Sequence, residues 1–170
     1  MSTHIKISTI TVGSGGAASI DFTSIPATYT DLFVQISLRS NYANPYSNPI
    51  VRFNGATTNY SGKQLLGNGA TASSSGMNYT DGIDLPTMPA ATNTANVFGS
   101  AGLYIPNYAS ANYKSVSNEG GEEFNSATAY LMLVAGLWSN TAAINQVTIV
   151  DKLGSLVQYS SATLYGIKSS

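Results

Sequence analysis

Leu32-Phe33-Val34-Gln35-Ile36-Ser37-Leu38-Arg39 is the stretch that decides the fold class of this chain. Leu32, Val34, Ile36 and Leu38 share one parity, while Gln35, Ser37 and Arg39 fall on the other. An apolar period of two marks a strand with one face turned to a core. A helix would need apolar residues every three or four positions. No stripe of that period and of helix length occurs in the 170 residues.

The same rule extends outward. Ile20 and Phe22 carry it through Ser19 to Thr23. Between Ile5 and Val12 the phase slips, with Ile5 and Ile7 on one parity and Ile10 and Val12 on the other. A β-bulge or a change of sheet is the expected cause. Further strands are predicted at 50–53, 97–105, 127–138, 146–150 and 162–168. Turn chemistry separates them: Gly13-Ser14-Gly15-Gly16 and Asn54-Gly55 reach positive φ easily, and Pro26 and Pro106 each follow a β segment. Many short strands with such punctuation predict an all-β fold. The expected architecture is one antiparallel β-sandwich domain over residues 1–170, jelly-roll-like.

Two segments depart from plain alternation. Residues 67–96 are mainly Ala, Ser, Thr, Asn and Gly, with Met77, Ile83, Leu85 and Met88 as the few apolar anchors. A flexible linker is the plain alternative, but an ordered excursion from the sandwich is expected. In 127–138 the odd positions include Leu131, Leu133 and Leu137, and the even ones Tyr130, Met132, Val134 and Trp138. A sandwich strand normally wets one face. Here either a loop covers one side or a neighbouring subunit does.

Composition narrows the function. Cysteine is absent, His4 is the single histidine, and seven basic and eight acidic residues give a net charge of −1. Acid–base, nucleophilic and metal chemistry draw mostly on His, Cys and clustered carboxylates, so no enzyme is expected, and no cofactor or metal. Lys6, Arg39, Arg52, Lys63, Lys114, Lys152 and Lys168 stand singly, which leaves no basic stripe for nucleic acid. Neither a signal peptide nor a membrane span is legible, so synthesis in a cytosol is expected.

Two acidic clusters, Asp81 with Asp84 and Glu119 with Glu122 and Glu123, offer hard oxygens. Neither has the spacing of a calcium loop, and both read as solvated turns. Eight carboxylates make some glycosidase-like pair inevitable and uninformative. Asn59-Tyr60-Ser61 and Asn78-Tyr79-Thr80 match the glycosylation pattern by chance. The eleven tyrosines are more telling. Tyr42, Tyr46, Tyr60, Tyr79, Tyr108 and Tyr113 lie in loop-like contexts, where as a set they favour a contact surface.

Six phrases in order carry a resemblance: Ser24-Ile25-Pro26-Ala27-Thr28-Tyr29-Thr30-Asp31-Leu32, Arg52-Phe53-Asn54-Gly55, Ala95-Asn96-Val97-Phe98-Gly99, Tyr104-Ile105-Pro106-Asn107-Tyr108, Gly136-Leu137-Trp138-Ser139-Asn140 and Leu164-Tyr165-Gly166-Ile167-Lys168. Together they resemble small virion proteins of tailed bacteriophages, over almost the whole chain. The resemblance implies a β-sandwich structural protein located in the virion, either a capsid decoration (cement) protein or a tail or fibre component. Heptads, collagen-like triplets and repeats are missing, which shifts weight to decoration. The expected partners are further copies of itself, as a homotrimer, and the major capsid protein. The alternative is a carbohydrate-binding module for host attachment, engaging tail proteins or a host glycan. Tyr130, Met132 and Trp138, with Met77, Tyr79 and Met88 from the excursion, are the expected contact anchors.

Overall fold

The computed structural model describes residues 3–124 and 129–168. The first strands are β1 (Thr3–Thr11), β2 (Ser19–Phe22), β3 (Asp31–Leu38), β4 (Tyr46–Ser47) and β5 (Pro49–Phe53). Then come β6 (Tyr60–Gly67), β7 (Ala72–Gly76), β8 (Ile83–Asp84), β9 (Met88–Pro89) and β10 (Gly99–Ile105). The last are β11 (Lys114–Glu122), β12 (Tyr130–Trp138), β13 (Val147–Asp151) and β14 (Ser161–Lys168). No helix occurs among the described residues. Ala127 and Thr128, expected to open the β12 strand, lie outside them.

Eight strands form one sheet in the order β1-β14-β3-β10-β11-β12-β6-β7, and four form another in the order β2-β13-β5-β8. Every pairing is antiparallel. The fold is thus an all-β sandwich, jelly-roll-like, as the alternation predicts. Leu32, Val34, Ile36 and Leu38 of β3 are all buried on the inner face of the large sheet. Opposing them, the small sheet aligns Phe22, Val147 and Phe53 in one rung and Ile20, Ile149 and Val51 in the next. These residues join one apolar core. Each fully buried Leu, Ile or Phe contributes about 1.5–3 kcal/mol. The phase slip in β1 is a bulge, where the register with β14 shifts between Lys6 and Ser8.

The 67–96 excursion is ordered, and Arg39 is a main reason. Its guanidinium donates to the carbonyls of Ala90, Asn93, Thr94 and Val97 at 2.7–3.1 Å. Four carbonyls saturating one planar cation fix the turn that leads into β10. Asp151, also buried, accepts from the Ser40 and Ser47 hydroxyls and ties β13 to the segment that pairs with Met88 and Pro89. Two expectations need correction. Glu119 to Glu123 is not a turn, because residues 119–122 complete β11 against β12. Residues 60–67, 72–76 and 114–122 are strands that alternation alone does not predict.

Candidate contact surface

Because paired residues share a face, the outward side of the large sheet can be read rung by rung. One rung is Ser100, Gly121, Leu131 and Gly67; the next is Gly102, Glu119, Leu133 and Leu65; the third is Tyr104, Ser117, Ala135 and Lys63. Leu131, Leu133 and Leu65 are exposed at 66%, 48% and 49%. They form an apolar ridge on β12 and β6. Beside it, β10 and β11 present Ser100, Gly102, Ser117 and Gly121, so the surface drops into a furrow of about 560 Å³. Phe33 and Tyr104 wall its far side. His4 and Tyr165 meet there too, His4 standing edge-on to the Phe33 and Tyr165 rings at 6.1 and 6.4 Å between centroids.

The electrostatics of this face are sparse. Lys63 and Glu119 both line the furrow and flank β12, and neither forms an ion pair among the described residues. The Tyr104 hydroxyl donates to Asp31 at 2.8 Å, which raises the tyrosine's pKa.

The anchors expected from sequence lie elsewhere. Met132, Trp138 and Met88 are corrected as contact residues: each is at most 2% exposed, inside the monomer's own core. Met132 accepts the Thr87 N–H on its Sδ at 3.4 Å. Trp138 stacks on Tyr60 at 6.2 Å and leans on Phe53 at 5.7 Å. Tyr130 is half-buried and edge-on to Tyr46 at 5.2 Å. Met77 is half-buried against Gly62, and Tyr79 lies under the Lys152 ammonium at 5.2 Å. The even parity of β12 is the inner one, so its odd residues meet solvent. A period-two pattern with apolar residues on both parities does not say which parity faces in.

The loop tyrosines divide as well. Tyr60 and Tyr108 are buried, with the Tyr60 hydroxyl accepting the Phe53 N–H at 2.8 Å and the Tyr108 hydroxyl donating to Pro26. Tyr46 and Tyr113 remain exposed.

The titratable groups hold structure. Asp81 bridges Arg52 and Lys152; burial raises its pKa, but the two cations outweigh that and hold it below the usual carboxylate range. Burial lowers the Lys114 pKa, and its ammonium donates to the Ser110 and Asn112 carbonyls. Burial raises the pKa of Asp84. It pushes Glu122 up to about 7, offset only in part by the Thr87 hydroxyl. No hydrogen bond of normal geometry reaches either Glu122 oxygen. Among the described residues, no group of three or more His, Cys, Asp or Glu converges as a metal site would require.

No protein-family model matches this sequence, and no curated protein does. Among solved structures the chain is similar to the galectin LEC-6 of Caenorhabditis elegans, at 5% identity and a TM-score of 0.35, over 95% of this chain and 96% of that one.

Proposed function

We propose that this chain is a non-enzymatic structural protein of a tailed-phage particle, a capsid decoration protein that stabilises the shell by bridging its subunits. The observation that carries this reading is the outer face of the large sheet, where Leu65, Leu131 and Leu133 stand in water on a chain of net charge −1. Contiguous exposed apolar surface favours a covering partner. The clamping roles of Arg39, Lys114 and Asp151 support it further, because these groups hold loops in place. The resemblance of the ordered phrases to those of virion proteins is in keeping with this reading. The mechanism is coverage: apolar side chains at the centre of a contact exclude water, and polar groups around them fix register.

Particles lacking the protein provide the test. Added back, it is expected to saturate at a copy number matching the shell lattice and to raise the shell's melting temperature. Binding at a copy number matching the tail assigns it there instead, and no binding overturns the reading.

One observation favours a carbohydrate-binding module instead. Phe33 and Tyr104 line the furrow, with Tyr165 and His4 beside Phe33, and aromatic faces stack on sugar rings. Host-surface glycans that bind the wild type and lose affinity for Tyr104→Ala would establish this second role.

A further inference from the structure

We propose that the outer face of the large sheet seats a second copy of this chain, about a two-fold axis running along the strands between β11 and β12. Such an axis keeps every rung level while laying β12 of one copy over β11 of the other, and β6 over β10. The face is complementary to itself under that operation. In the first rung, Leu131 comes over the partner copy's glycine at position 121. In the second, Leu65 comes over its glycine at position 102 and Leu133 over its glutamate at position 119. Leu131 and Leu65 therefore drop onto bare backbone in the other copy, and at an isologous interface every such contact occurs twice.

Charge follows the same symmetry. Lys63 lies on one flank of β12 and Glu119 on the other, one rung apart. The operation carries each lysine over the opposing Tyr104 ring, one strand and one rung from the opposing Glu119. Among the described residues neither Lys63 nor Glu119 has an ion partner within its own copy. A cation above an aromatic ring and beside a carboxylate is held by both. A two-fold running across the strands lays β12 over β12 and β6 over β6 instead, so Lys63 meets a residue of β6 and loses this match.

The axis between β11 and β12 carries β3 over β7 and leaves β1 and β14 outside the contact, so six strands overlap. Spaced about 4.8 Å apart and about eight residues long, they give a face of roughly 24 by 27 Å. That is about 650 Å², at the lower end of the ~600–1,000 Å² per partner of a standard stable interface. Packed sheets crossing at about 30° accommodate the twist.

This inference rests on the same outer face as the proposed function, a second copy covering in free solution the leucines that the shell would cover on the particle, but it concerns the chain alone. Sedimentation velocity of the full chain between about 1 and about 100 µM reads it directly. A monomer–dimer equilibrium is expected. Leu133→Glu should raise the dissociation constant tenfold or more with the circular dichroism unchanged, since Leu133 is half exposed. Lys63→Glu and Glu119→Lys should each weaken the dimer several-fold, and the double exchange should restore most of the loss. The charge variants decide the matter even where Leu133→Glu perturbs folding. A monomer across the range, a trimer, or a dimer indifferent to all these changes overturns the inference. Particle addition separately tests the virion reading, so either can fail alone.

Discussion

Met132 and Glu122 sit on the inner side of neighbouring strands, one rung apart. Met132 is packed on every side, and Met132→Glu is expected to unfold the chain rather than dissolve an assembly. An unpaired charge there costs several kcal/mol, about what a domain has in reserve; loss of the β-sheet circular dichroism at neutral pH is the readout. Glu122 is already such a group in wild type. Its carboxyl titrates near 7 in the folded chain against an ordinary 4.5, so the native state holds a proton that the unfolded state releases. Stability is therefore fully present below about pH 4.5 and falls as pH rises through 7, by at most about 3 kcal/mol. Glu122→Gln should flatten that part of the profile and raise the melting temperature at pH 8. A denaturant series at pH 5 and pH 8 checks both. Alternation made Leu32 to Leu38 legible as core. Nothing local marked Arg39, Lys114 or Glu122 as buried, because the partners of Arg39 come from a loop remote in sequence, and Lys114 and Glu122 lie on β11, whose inner parity was unknown.

Strand β12 shows what an element discloses by itself and what it does not. Its extended character was plain, whereas its orientation was not, since Leu and Met alternate with equal apolarity. The register settles it: Gly136 faces inward, and a Cβ there would meet Ile83 Cγ2 at 2.5 Å and Cδ1 at 2.9 Å. Strand β8 can lie this close only because that position is bare. Gly136→Val should cost roughly 1–3 kcal/mol or more by overpacking, visible as a lower urea midpoint. Ile83→Ala in the same chain should recover part of the loss. Strands β6, β7 and β11 were invisible for the opposite reason. Ser-, Gly- and Asn-rich sequences such as Ala72 to Gly76 have little β-propensity of their own and are extended because a neighbour pairs with them. The bulge in β1, by contrast, was readable, because a phase slip within one strand is a purely local signal.

At the scale of the whole molecule, sandwich architecture followed from period and punctuation, but strand order did not. The large sheet takes its members from both ends of the chain, and pairings between remote strands leave no local trace. The pairing of β1 with β14 has a practical consequence. Thr3 lies opposite Lys168, one strand spacing away, so a short linker can span the gap between these two strands. The same 170 residues can then be permuted. The turn between β6 and β7 is exposed and local, held by the Asn68 side chain accepting from the Ala70 and Thr71 N–H groups. Joining the old ends through a short Gly-Ser linker and opening the chain before Ala70 should give a circular permutant with the same circular dichroism spectrum. Its melting temperature should drop by only a few degrees, about 1 kcal/mol or less for a lost surface turn. An insoluble permutant would mean that the Asn68 turn is needed to bring β6 and β7 together. A soluble one would let cargo be displayed from either side of the sandwich, at the old junction or the new.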